Sequence, residues 1–233
     1  MSRALVTAFE PYDVWEENAS WLTLVELTKD LPERPHLTTR RYPVDYTKLR
    51  ECLSKDLAMG FDFVLHLGQA PGSCGIRLET VGLNQASHTT TSNSDKCVRL
   101  IDDGPMAYQS RVPATALRDE LRAAGIPAEV SIHAGTYLCN AALYLAHHAI
   151  ASGSLATKAL FVHLPLDVSQ AAKHEKEIAS LPASVSAEAV RIIFGLDPEE
   201  QPDRAQHVHQ THLARAHWMT ENGYRDLLRS AFH

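Results

Sequence analysis

Apolar residues along the 233-residue chain fall into two kinds of block that alternate from the N-terminus onward. Short runs rich in apolar and β-branched residues occupy 3–8, 37–44, 61–67, 128–132 and 159–164. Their length and turn-forming flanks predict buried strands. Between them, apolar positions recur every three or four residues. Trp21, Leu24 and Val25 predict a helix starting near Asn18; Leu49, Leu53 and Leu57 predict one over 46–59; Leu117 and Leu121 one over 114–124. Ala142, Leu143, Ala146 and Ile150 predict a further helix beginning at Cys139, and the alanine-rich stretches 169–181 and 184–194 predict two amphipathic ones. Asn18 and Ser20 are capping types, and Gly60 and Gly125 stand where helices stop. Alternating strand and helix patterns predict an α/β fold, a three-layer α/β/α sandwich around a twisted, mainly parallel mixed sheet.

Two stretches break the alternation. Gly68-Gln69-Ala70-Pro71-Gly72 reads as a loop at a strand's carboxyl end, where open α/β sheets place ligands. Residues 85–110 are polar and turn-rich, and a loop of that length in a compact domain tends to be functional. From 76 to 84, Ile76, Leu78, Thr80 and Gly82 alternate with Arg77, Glu79, Val81 and Leu83, so a strand is predicted with a carboxylate inside it. A single domain over 1–196 is expected. The charged, histidine-rich extension 197–233 opens with Pro198 and Pro202, and Trp218, Met219, Leu227 and Leu228 suit a last docked helix.

Composition narrows the function classes. Hydrophobic residues make up 45% and charged residues 21%, the balance of a soluble globular protein. No apolar run has the length of a membrane span. A net charge of −6 without a basic stripe supplies no electrostatic attraction for nucleic acid or anionic lipid. Glu10 and Pro11 interrupt the first apolar run too early for a signal peptide. The four cysteines, Cys52, Cys74, Cys97 and Cys139, are widely spaced and form no CxxC pair, which fits a reduced, cytoplasmic protein. His207, His209, His212 and His217 crowd the C-terminal part, but no cysteine or paired carboxylate completes a set at known ligand spacing. No metal and no cofactor is predicted.

The stretch 131–150 carries the chemistry. A strand, the small residues Ala134-Gly135-Thr136 and a helix set Cys139 at or near a helix N-terminus. There unpaired N–H groups and the helix dipole favour a thiolate and can hold a developing oxyanion. A thiol nucleophile needs a base to take its proton and a group to orient that base. His163, inside an apolar strand before Pro165, and Glu79 are the candidates. Each has an ordinary alternative: Cys139 as a small hydrophobe, His163 as a hydrogen-bonded core histidine, Glu79 as a sheet-edge carboxylate.

Five blocks in order, Ala-Phe-Glu-Pro-Tyr at 8–12, Gly-Gln-Ala at 68–70, Glu79 with Asn84, Ala-Gly-Thr-Tyr-Leu-Cys-Asn at 134–140 and His-Leu-Pro at 163–165, resemble the pyroglutamyl peptidase I family, also called pyrrolidone carboxylate peptidases. The resemblance runs from about residue 3 to about 195. It implies a cytosolic cysteine peptidase that removes an N-terminal pyroglutamyl residue through a thioester, without metal or cofactor. It implies Cys139 as nucleophile, His163 as acid and base, and Glu79 as its orienting partner. Phe9, Tyr12, Tyr137 and Leu138 fall where the family builds an apolar pocket for the lactam ring, and Gln69 where backbone pairs with the lactam amide. The implied partner is a peptide with a blocked N-terminus, and the implied assembly a homo-oligomer, tetramer or dimer. The sequence departs from the pattern at Ala8, Tyr12, Asp13 and Ala19, and Thr89 and Thr90 stand in place of an arginine and an isoleucine. Those departures keep two alternatives open: a thiol amidohydrolase for a related small acyl amide, and a catalytically weak binding protein. Arg77 and Arg99 are candidates to replace the lost cation.

Overall fold

The computed structural model describes residues 2–31, 34–87 and 97–195. Three of the apolar runs become the central strands β1 (Arg3–Phe9), β3 (Phe63–Gln69) and β8 (Lys158–Leu164), buried along almost their whole length. Helices cover both faces, so side chains pointing either way leave water and no polar alternation is needed. The more polar β2 (His36–Tyr42) takes one edge and β7 (Ala128–Ser131) the other, giving the order β2-β1-β3-β8-β4-β7 with β4 (Ile76–Glu79) inside. β2, β1, β3 and β8 are parallel, β4 runs antiparallel to β8, and β7 is parallel to β4. The sheet is thus mixed and mainly parallel.

One face is covered by α2 (Tyr46–Leu57) and α4 (Leu138–Ser152). Leu5, Val64, Ala159 and Phe161 of the strands form one core with Leu49, Leu53, Ala142 and Leu143 of those helices. The other face carries α1 (Ala19–Thr28), α3 (Ala114–Ala123) and α6 (Ala183–Ile193). There Phe63 meets Phe194 edge to face at 5.7 Å. Ala141, Ala142 and Ala146 of α4 are fully buried, and their small side chains suit a helix packed close to the sheet. Among the described residues no helix is long and apolar enough to cross a membrane.

The chain leaves β1 toward β2 on one side and returns to β3 on the other. Connections diverge at the carboxyl ends of β1 and β3, which leaves a crevice there, the usual ligand position of an open α/β sheet.

Four expectations need correction. Gly68 and Gln69 belong to β3, and the loop begins only at Ala70. The strand expected over 76–84 divides at Thr80, whose N–H and Oγ1 both donate to the Ser131 carbonyl at 2.8 and 2.9 Å. β4 stays in the large sheet while β5 (Val81–Leu83) pairs with β6 (Ala107–Gln109) in a separate two-stranded sheet. That second strand arises within the 85–110 loop, where buried Asn84 accepts from Leu100 N and Ile101 N, both at 2.9 Å, and donates to the Ile101 carbonyl at 2.7 Å. The helix expected over 169–181 shrinks to α5 (Val168–Ala171), since the following Lys-His-Glu-Lys-Glu run is exposed and offers no apolar stripe to dock. The extension 197–233 lies outside the described residues.

Candidate active site

Three elements bring Glu79, His163 and Cys139 together. β4 faces β8 with Arg77 opposite His163 and Glu79 opposite Phe161. Glu79 therefore lies two register pairs further along, on the same face as Arg77, and reaches His163 diagonally, a contact open to long side chains. The His163 Nδ1–H donates to Glu79 Oε1 at 2.8 Å, and the glutamate is fully buried. With Nδ1 engaged, Nε2 is the ring nitrogen left for sulfur, and Cys139, in the first turn of α4, is near enough to the imidazole to act on its charge. Burial disfavours an imidazolium here, but the nearby Cys139 sulfur, followed by the hydrogen bond and charge of Glu79, outweighs it and raises the His163 pKa to about 9.

The backbone makes this approach possible at two glycines. Gly135 turns the chain into α4 with φ +76°, in the left-handed region where a Cβ is disfavoured. Gly68, next to last in β3, lies beneath the thiol: a Cβ built there would lie 3.1 Å from Cys139 Sγ and 2.5 Å from Phe161 Cζ. The N-cap residue Tyr137 makes no side-chain cap hydrogen bond, so it places no capping acceptor on the first-turn N–H groups at Cys139.

A cavity of about 230 Å³ opens beside the thiol. Phe9, Tyr12, Gln69, Tyr137 and Leu138 all line it, joined by Asn18, Val44 and Pro71 and by Cys139 and His163 themselves. That is smaller than the ~300–1,000 Å³ of pockets for drug-sized ligands, and suits one small ring with its exit. Phe9 stacks at a tilt on Phe161, 6.3 Å between centroids, and Tyr137 meets Tyr46 edge to face at 5.7 Å. Burial and the charge of Cys139 push the Tyr12 phenol well above its ordinary pKa, so it remains a donor. The side chain of Gln69 points into structure: its Oε1 accepts from Ala19 N and from Gln170 Nε2, each at 2.7 Å.

Sequence reasoning passed over two supports of this site. Asn140 is fully buried and grips β5, accepting from Leu83 N at 2.8 Å and donating to the Leu83 and Gln85 carbonyls at 2.9 and 2.8 Å. A buried amide in the first turn of an otherwise apolar helix was the available signal. Gln170, which holds Gln69 from the other side of the chain, carried none. Of the two candidate replacement cations, Arg99 donates to the Asp102 carbonyl at 2.7 Å, whereas Arg77 lies 3.7 Å from Glu79 Oε1. Thr89 and Thr90 lie outside the described residues. Among the described residues no cluster of three or more His, Cys, Asp or Glu side chains is placed to hold a metal.

Comparison with known proteins agrees with the geometry. Residues 2–196 match the pyroglutamyl peptidase family. The pyrrolidone-carboxylate peptidase of Thermococcus kodakarensis is 34% identical over 81% of this chain and 90% of its own. That of Ralstonia nicotianae, named pyrrolidone-carboxylate peptidase 1, is 34% identical over 75% and 83%. The crystal structure of pyrrolidone carboxyl peptidase from Fervidobacterium islandicum superposes with a TM-score of 0.78 at 35% identity, covering 86% of this chain and 99% of that one. A mutant of the Pyrococcus furiosus enzyme gives 0.77 at 28% identity over 85% and 99%. With residues 2–196 matching the family and an α/β scaffold shared along most of the length of its relatives, this chain belongs to the pyroglutamyl peptidase family of cysteine peptidases.

Proposed function

We propose that the protein removes N-terminal pyroglutamyl residues from peptides, with Cys139 as nucleophile, His163 as acid and base, and Glu79 as the group that orients His163. The observation that carries this reading is the buried Glu79–His163 hydrogen bond of 2.8 Å, with His163 and Cys139 together on the wall of one cavity. Glu79 selects the tautomer with Nδ1 protonated, so Nε2 takes the thiol proton and the thiolate attacks the pyroglutamyl carbonyl carbon. N–H groups of the first turn of α4 stabilise the resulting oxyanion. The imidazolium returns its proton to the departing amine, leaving a pyroglutamyl thioester. Neutral His163 then takes a proton from water, whose attack releases pyroglutamate and restores the thiol.

The pocket supports the choice of ring. Its walls are mainly aromatic and aliphatic, and among the described lining residues none is a carboxylate, so the uncharged lactam enters while the ammonium of a free glutamyl or glutaminyl terminus meets no counter-ion there. Phe9, Tyr12, Tyr137 and Leu138 bury the ring, and the Gln69 backbone pairs with its amide. A fluorogenic pyroglutamyl amide, offered beside a panel of other small acyl amides, tests the assignment. Cleavage that is fastest for the pyroglutamyl compound and abolished in Cys139→Ser is expected; a better non-lactam substrate refutes it. The same reading includes a reducing, cytoplasmic setting, in keeping with four free cysteines, and a homo-oligomer, which sedimentation velocity decides.

A further inference from the structure

We propose that Arg77 is a positioning residue of the triad: its guanidinium, anchored on β7 by Glu129 and Ser131, offsets the charge of the Glu79 carboxylate and so sets how strongly the His163–Cys139 pair holds its protons. The inference rests on the triad assigned above. Arg77 occupies the register position on β4 that faces His163 on β8 and Glu129 on β7 at once. Its Nη2 donates to Ser131 Oγ at 3.1 Å. Its Nε lies 3.0 Å from Glu129 Oε1 and 3.7 Å from Glu79 Oε1, the oxygen that also accepts from His163.

The surroundings call for such a group. Glu79 is fully buried, and its second oxygen, Oε2, has no hydrogen-bond partner among the described residues. A buried carboxylate served by one imidazole N–H is under-compensated, and a cation within 4 Å supplies what the missing donor does not. The groups facing Glu79 are His163 from β8, Cys139 from α4 beyond that ring, Arg77 on its own strand, and Glu129 and Ser131 from β7. One cation thus stands between two carboxylates. The Arg77 side chain is about one-third exposed, so water screens its field and the effect is moderate.

The sign follows from charge. Removing the cation leaves a more negative field, in which sulfur and imidazole both hold protons more tightly. Removing Glu129 does the reverse. The test follows the pH dependence of Cys139 alkylation by iodoacetamide, which needs no substrate, beside that of kcat/KM on a pyroglutamyl amide. In Arg77→Met the low-pH limb of alkylation and both limbs of kcat/KM are expected to move up by about half a pH unit, and in Glu129→Gln down. Arg77→Lys is expected to restore the wild-type limbs by keeping the charge. Limbs that stay in place in both Arg77→Met and Glu129→Gln, whatever happens to the rate, overturn the inference, as does a shift of the same sign in the two. Because alkylation reports on the thiol alone, a failure of the substrate assignment leaves this result readable, and cleavage with unmoved limbs rejects only the role of Arg77.

Discussion

Gly68→Ala probes a close approach of β3 to the Cys139 sulfur. Gly68 does not occupy the left-handed region, so space rather than backbone freedom demands glycine. The added methyl would lie 2.5 Å from Phe161 Cζ, 2.8 Å from Phe161 Cε1 and 3.1 Å from Cys139 Sγ. Phe161 cannot swing away freely: it is fully buried and its ring centroid is 6.3 Å from Phe9, 6.2 Å from His66 and 4.8 Å from His163. Overpacking of this kind costs ~1–3 kcal/mol, against which alanine in a strand recovers ~0.5–1 kcal/mol of chain entropy. A net loss of about 1–2 kcal/mol corresponds to a fall in Tm of about 2–8 °C for a domain of this size. Because the displaced atoms include the ring beside His163 and the sulfur itself, kcat/KM is expected to drop about 100-fold, the scale of a 1 Å misplacement in an active site. Calorimetry gives the first number, and a pyroglutamyl-amide assay at 25 °C, well below the transition, gives the second. Activity within about twofold of wild type would refute the claim that close approach of β3 positions the thiol.

Three further outcomes follow from the same packing. Glu79→Gln keeps a polar side chain of similar size but removes the charge that favours the imidazolium, so kcat/KM is expected to fall about 100- to 10,000-fold with little change in KM, read by steady-state kinetics. His66 and His147 are buried as neutral rings, their pKa values lowered to about 3 and about 4, chiefly by burial. Both lie below the unfolded value near 6.5, so the folded state binds fewer protons and stability present above pH 6.5 is lost as pH falls. Urea unfolding at pH 6.5 and 5 is expected to differ by about 3–4 kcal/mol, and a His66→Asn variant by about half of that. His163, raised to about 9, acts with the opposite sign: its contribution is complete below pH 6.5 and disappears as pH rises through 9. Asn140→Ala strips three hydrogen bonds from the backbone of 83 and 85 and is expected to cost about 2–4 kcal/mol in denaturant unfolding and to lower kcat by loosening the start of α4.

Much of the scaffold was legible because central strands and amphipathic helices write their burial directly into hydrophobic spacing. β1, β3 and β8 appear as apolar runs, and α1 begins one residue after the Asn18 cap, whose side chain accepts from Ser20 N. The failures were local competitions that spacing does not record. Thr80 gives its hydrogen bonds to Ser131 and splits a continuous pattern between two sheets, while the alanines of 169–181 have helical propensity but no apolar face to dock. At the site, Cys139 stood out through the turn before it and the helix after it, and His163 and Glu79 as polar residues in apolar strands. Arg77 was noticed only as a charge, and Gln170 not at all, since its partner Gln69 is a hundred residues away in the chain.

The sequence by itself determined most of the strand and helix segments, the place of a cysteine at a helix start, and which family the motifs resemble. Those properties depend on neighbours within a few residues or on blocks of residues in order. Tertiary structure alone decided that β4 runs against β8. That reversal puts Glu79 two register pairs from His163, within 2.8 Å of its ring, and Arg77 level with it. Hydrophobic periodicity is the same read in either direction, so strand polarity and register, which choose which side chains meet across the sheet, are settled only when the strands pack.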